Sequence, residues 1–198
     1  MVNLKELDLK TRIALADLDM DEIRKYLKDV NEGSMADINN IPMSLYYRYL
    51  SALVKVIKPK RVVEMGSAGG ASALMMLATL PKRSALYAMT LKEPEGEFRF
   101  IKKDYPNLTL IRGNNLELGH WDDVDLSETD LWFFDTKHTY EQLHAEMKLY
   151  DQFFKKGTIV LIDDIRLNEG MTKAWDEIKY DKLSLPDLHH SGFGMFTK

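Results

Sequence analysis

Cysteine is absent from the 198 residues, which excludes disulfides, a thiolate nucleophile and cysteine metal ligands. Long apolar runs are absent too, and no segment approaches the length needed to cross a bilayer, so no membrane partner is expected. Residues 1–8 are charged where a secretory signal would be apolar, and with the lack of cysteine this places the chain in the cytoplasm. No Gly/Ser/Pro linker, low-complexity tract or internal repeat interrupts the sequence, and the expectation is one domain over 1–198. Excess positive charge is also lacking. A net charge of −4 argues against a nucleic-acid partner and leaves a small-molecule site.

What is present is an alternation of helix and strand signals. Tyr46, Leu50, Leu53 and Ile57 recur at helical spacing, with Pro42 where a first turn tolerates it and Pro59 marking the end. Strands are expected at 61–64, 85–89, 108–111, 131–134 and 158–162, with a helix over 71–80. A further helix carries the stripe Leu143, Met147, Tyr150 and Phe154. Residues 182–185 and 194–197 form a terminal hairpin whose loop is long enough to line a pocket. The fold class is therefore expected to be α/β, a doubly wound, mostly parallel sheet centred on strand 61–64 and closed by an antiparallel C-terminal strand. Residues 1–40 read as amphipathic helices that either cover the pocket or pair two copies of the chain as a homodimer.

Two segments carry chemistry. Between the first strand and its helix lie Gly66, Ser67, Ala68, Gly69, Gly70 and Ser72; glycines there let a ligand approach the backbone while the helix start offers free N–H groups. The ligand expected is nucleotide-like. A dinucleotide fingerprint requires glycine at 68, and Ala68 makes NAD a minor alternative; a tight turn with no ligand is the plain one. On this reading a bulky residue at Gly66 blocks the ligand and spares the fold. The second segment is Asp135-Thr-Lys-His138 with Asp163-Asp164, three carboxylates and an imidazole at the ends of two neighbouring strands. Clustered acids need a proton or a cation to neutralise them, although each alone reads equally as a solvated strand end, with Asp164 capping the segment after it.

Together, Glu64-Met-Gly66-Ser-Ala-Gly-Gly70-Ala-Ser72, the run from Asp130 to Glu141 and Lys156-Gly157 through Asp163-Asp164 resemble the class I S-adenosylmethionine-dependent methyltransferases. The Asp-x-x-His and Asp-Asp pair is more specific and resembles their metal-dependent O-methyltransferase group, which includes catechol-type and macrolide-sugar enzymes. The resemblance spans about residues 40–198, implies a Rossmann-like core with seven strands over 41–198, and leaves 1–40 as a cap or oligomerisation segment. It implies S-adenosylmethionine held by Glu64, Gly66, Ser67, Gly69, Gly70, Ser72, Thr90, Asn114 and Asp135. It further implies a divalent cation, magnesium, on Asp135, Asp163 and Asp164, with His138 as general base toward a small-molecule hydroxyl acceptor.

One departure stands out. The family ends its second strand with an acid for the ribose hydroxyls, whereas this chain has Thr90, with Glu93, Glu95 and Glu97 in the next loop. That departure keeps open a cofactor-binding regulatory protein without transferase activity; a metal-dependent hydrolase using the same acids to activate water is a second alternative, against which the glycine loop argues. His120-Trp121 and His189-His190 fall in loops near the expected cofactor and acceptor rims and read mainly as surface or packing groups, while His144 reads as structural.

Overall fold

The computed structural model describes residues 2–27, 44–91 and 105–198. Two helices, α1 (Leu4–Ala16) and α2 (Met20–Leu27), precede α3 (Leu45–Ile57), which leads into strand β1 (Arg61–Met65). The chain continues through α4 (Ala71–Leu77), β2 (Ala85–Thr90), β3 (Leu108–Arg112), β4 (Leu131–Phe134), α5 (Tyr140–Tyr150), β5 (Ile159–Asp163) and α6 (Glu169–Glu177). It closes with the hairpin β6 (Asp181–Leu185) and β7 (Phe193–Thr197). Pro42, Glu93, Glu95 and Glu97 lie outside the described residues. No helix of the described residues is long and apolar enough to cross a membrane.

The seven strands form one sheet in the order β3-β2-β1-β4-β5-β7-β6. Pairing is parallel from β3 to β5, and β7 runs antiparallel to both β5 and β6, so it alone opposes the other six. Both faces of the sheet are covered, which is why β4 and β5 read as unbroken apolar runs rather than alternating ones. Leu131, Phe133, Ile159 and Leu161 join α1 to α4 on one face. Trp132, Phe134, Val160 and Ile162 join α5 and α6 on the other. Trp132 is fully buried, and truncating such a side chain costs about 3–5 kcal/mol.

Helix α6 has no counterpart among the elements expected from the sequence. Its signals are local: the Asn168 side chain accepts from the Met171 N–H as an N-cap, and Met171, Ala174 and Trp175 place a buried stripe at helical spacing. The N-terminal helices pack against α3, α4 and the hairpin. Arg12 of α1 grips Asp187 with two hydrogen bonds of 2.6 and 3.0 Å, so α1 braces the loop between β6 and β7.

Strand order reverses at β1, since the chain moves outward through β2 and β3 and then returns to β4 on β1's other side. Ligands of open α/β sheets bind in the crevice this reversal leaves beyond the carboxyl ends of the strands. Both chemical segments of the sequence lie there.

Candidate active site

The glycine turn is shaped first by the backbone of its neighbour. Gly66 has φ +89°, and a Cβ built there would stand 1.8 Å from the Asp135 carbonyl oxygen and 2.6 Å from its carbon. Glycine at this position is therefore required by the close approach of β4, so a bulky substitution attacks the fold itself. This corrects the expectation that it would act only by blocking a ligand. The Gly66 and Ser67 N–H groups both donate to the Met89 carbonyl, at 3.0 and 2.9 Å. Ala68 has φ +40°, so the backbone takes the left-handed turn that a glycine would adopt freely, at a cost of about 1–2 kcal/mol. Gly70, at φ +81°, opens α4.

Beside this turn runs a cleft of about 480 Å³ along the ends of β1 to β4, within the usual size of a small-ligand site. Four of the expected cofactor residues line it: Gly66, Thr90, Asn114 and Asp135. Ala68, Asn115 and Gln142 do so as well. Ser67, Gly69, Gly70, Ser72 and Glu64 stand behind it, all buried. Glu64 is fully enclosed; Ser72 donates to its Oε1, while its Oε2 has no hydrogen-bond partner. Burial pushes the Glu64 carboxyl up to about 7, offset in part by the hydroxyls of Ser67 and Ser72. The Asn114 amide is engaged in its own turn, accepting from Leu116 N–H at 3.1 Å and donating to Glu117 at 3.0 Å. A comparable hollow of about 520 Å³ between α5 and α6 lies away from the strand ends.

The acids and histidines meet beyond β4 and β5. His138 stands between two carboxylates, with Nε2 3.1 Å from Asp135 Oδ1 and Nδ1 3.1 Å from Asp164 Oδ2. The hydrogen bond to Asp135 raises the His138 pKa, with Asp164 and Asp163 adding to it against partial burial. Asp163 ends β5 almost fully buried, and its Oδ1 has no hydrogen-bond partner. Burial first, then the charges of Asp135 and Asp164, raise its carboxyl well above the ordinary range. Asp164 takes a left-handed backbone, φ 58°, which Asp tolerates better than most residues. Its Oδ1 accepts from Ser191.

The hairpin loop contributes more to this cluster than the sequence suggested. His189 Nδ1 lies 3.1 Å from Asp164 Oδ1 and 3.6 Å from Asp163 Oδ1. The signal was available in topology: β7 pairs antiparallel with β5, with Phe193 opposite Asp163, so the loop before β7 must end beside the acids. His190 is exposed and packs on His189 with ring centroids 4.4 Å apart. Trp121 is a packing residue, buried and donating to the Tyr150 hydroxyl at 3.0 Å, and His120 rests against Gly113. Tyr46, from the first turn of α3, was missed as well. Its buried hydroxyl has no hydrogen-bond partner, and burial with the charges of Asp135 and Asp163 raises its pKa. Among the described residues, the side chains whose ligand atoms converge are Asp135, His138 and Asp163, and then Asp163, Asp164 and His189. Asp163 belongs to both groups.

A family model described as a methyltransferase domain matches residues 63–165. No curated protein matches the chain in sequence. Among solved structures, an O-methyltransferase from Bacillus cereus in complex with SAH is similar with a TM-score of 0.66 at 13% identity, over 97% of this chain and 100% of that one. An SAH-bound methyltransferase from Podospora anserina gives 0.62 at 16%, over 100% and 97%. Fibrillarin from Aeropyrum pernix with natively bound S-adenosyl-L-methionine gives 0.58 at 18%, over 78% and 76%.

Proposed function

We propose that this chain, which belongs to the methyltransferase-domain family, transfers a methyl group from S-adenosylmethionine to a hydroxyl oxygen of a small molecule with the help of a divalent cation. The observation that carries this reading is the double role of Asp135. It lines the cleft beside the glycine turn, and its carboxylate is hydrogen-bonded to His138 within the acid cluster, so donor and acceptor sites share a wall. The family match displaces the hydrolase alternative, because it covers the glycine turn and both acid segments together.

The residues present fit both absent groups. The unpartnered Oε2 of Glu64 stands behind the glycine turn as a free acceptor for an ammonium, the group that the methionine part of the cofactor carries. The unpartnered Oδ1 of Asp163, the residue shared by the Asp135–His138–Asp163 and Asp163–Asp164–His189 groups, suits a cation. Asp135, Asp163 and Asp164 would hold that ion, and carboxylates alone favour magnesium. When bound, it would lower the pKa of a hydroxyl and fix its position. S-adenosylmethionine supplies an electrophilic methyl on sulfur, so the acceptor oxygen must lose its proton and lie in line with the S–C bond.

His138 takes that proton. Its Nε2 faces Asp135 and its Nδ1 faces Asp164, so with Nδ1–H donated to Asp164 the bare Nε2 takes the proton, and the imidazolium then donates Nε2–H to the Asp135 carboxylate. The C–O bond forms as the C–S bond breaks, leaving S-adenosylhomocysteine and the methyl ether. Thr90 ends β2 and lines the cleft, so its hydroxyl is the ribose contact among the described residues there. Calorimetry with S-adenosylhomocysteine, then a panel of vicinal diols and catechols assayed with and without chelator, tests the reading. Binding and chelator-sensitive methylation support it; cofactor binding without transfer to any hydroxyl would favour a regulatory role.

A further inference from the structure

We propose that His189 supplies a nitrogen ligand beside Asp163 and Asp164, which makes the cation site a mixed carboxylate–imidazole centre for a first-row transition ion such as cobalt or zinc rather than for magnesium. The assignment rests on the cation-assisted function and changes which atoms hold the ion.

Three observations carry it. His189 Nδ1 stands 3.1 and 3.6 Å from the Oδ1 atoms of Asp164 and Asp163. Ligand atoms around an ion with bonds of about 2.1 Å stand about 3.0–3.4 Å apart, as edges of an octahedron or a tetrahedron, so these atoms are near that spacing. An ion would replace the Ser191 hydroxyl that now bridges His189 Nδ1, 3.0 Å away, and Asp164 Oδ1. Secondly, Asp163 Oδ1 is the oxygen facing this histidine, and it is buried without a hydrogen bond. A buried carboxylate oxygen left so costs free energy that a cation would recover. Thirdly, the two histidines divide Asp164 between them: His138 lies against Oδ2 and His189 against Oδ1. His138 can therefore remain the base while His189 faces the ion.

The loop is held for this role. Arg166 N–H donates to the Ser191 carbonyl at 2.7 Å and Ile165 N–H to Gly192 at 3.1 Å, tying the loop to the residues just after Asp164. Tyr46 packs on the His189 ring with centroids 5.4 Å apart, and Arg12 grips Asp187 two residues before. An imidazole fixed in this way favours zinc, cobalt and their neighbours, whereas magnesium prefers oxygen ligands throughout.

The test uses the full chain stripped with chelator. Cobalt(II) is titrated and its visible absorption followed, magnesium binding is measured by calorimetry, and S-adenosylhomocysteine binding is measured on every variant. Cobalt should bind the wild type more tightly than magnesium does. His189→Ala should weaken cobalt by about 10–100-fold and change its absorption while magnesium binding stays as it was. His189→Gln keeps the side-chain bulk and should show the same loss, which separates ligation from loop collapse, and His190→Ala should change neither ion. If both His189 variants bind cobalt like the wild type while Asp163→Asn abolishes binding, His189 is only an ion-pair partner; the inference then fails and cation assistance stands. If the wild type binds no divalent ion, both fail, although cofactor binding is still measured on its own.

Discussion

The two halves of the crevice are built in opposite ways. The half beyond β1 and β2 is made by backbone and by the absence of side chains, with Gly66 pressed under the Asp135 carbonyl and Glu64 sealed behind the turn. The half beyond β4, β5 and β7 is made by charged side chains that touch one another, with two imidazoles against Asp164. The first half is sensitive to added volume and forgiving of charge-neutral change. The second is the reverse: its acids can change without disturbing packing, but their chemistry depends on every proton or cation among them.

That contrast can be broken most severely at Gly66. Gly66→Val must displace the Asp135 backbone, and the expected outcome is a loss of about 4 kcal/mol or more, or failure to fold, seen by urea unfolding. The charged half should behave otherwise. His138→Ala is expected to keep the fold and S-adenosylhomocysteine affinity while turnover falls about 10²–10⁴-fold and its pH dependence near neutrality disappears. Asp164→Asn should likewise leave cofactor affinity in place, cut turnover and raise the cation concentration required for the remainder, measured by rate against added ion.

A smaller effect concerns pH without cation. The folded state raises Glu64 from 4.5 to about 7, so it binds a proton there that the unfolded chain has released, and stability falls as pH rises through that window. Asp163, also raised, acts in the same direction. His138, raised above 6.5, contributes stability that is full below that value and is lost as pH climbs through its folded pKa. All three signs agree: the unfolding temperature of the cation-free protein should drop from acid toward neutral pH. Glu64→Gln should flatten the Glu64 share of that slope, and added cation should reduce the Asp163 share. The smallest change is expected at Ala68, where glycine would relieve a left-handed backbone and loosen the unfolded chain. Ala68→Gly should shift stability by about 1 kcal/mol or less, with stabilisation the expected sign, read from the same unfolding curves.

The strands were legible because both faces of the sheet are buried, so that β4 and β5 stand out as apolar runs ending in acids. Helix α6 was not read because its stripe is only three residues long and the helix is charged at both ends. At the site, Asp135, His138, Asp163 and Asp164 could be read as a group, since each lies at or just beyond a strand end. His189 was placed only near the acceptor rim and Tyr46 only on its helix, because each reaches the acids through pairing or packing distant in sequence: β7 against β5, and α3 against the sheet. Ser72 illustrates a different limit. Its position in the motif was legible, but its hydroxyl turns inward to Glu64 instead of lining the cleft.

The central claim is that the glycine half binds the methyl donor while the acid half, through a cation, governs transfer. The most direct measurement is the initial rate of methyl transfer from labelled S-adenosylmethionine to a chelating diol or catechol acceptor, with and without chelator, alongside S-adenosylhomocysteine affinity under the same conditions. The account predicts that chelator abolishes transfer, that added divalent ion restores it, and that cofactor affinity hardly changes. Transfer that continues undiminished in chelator would contradict it.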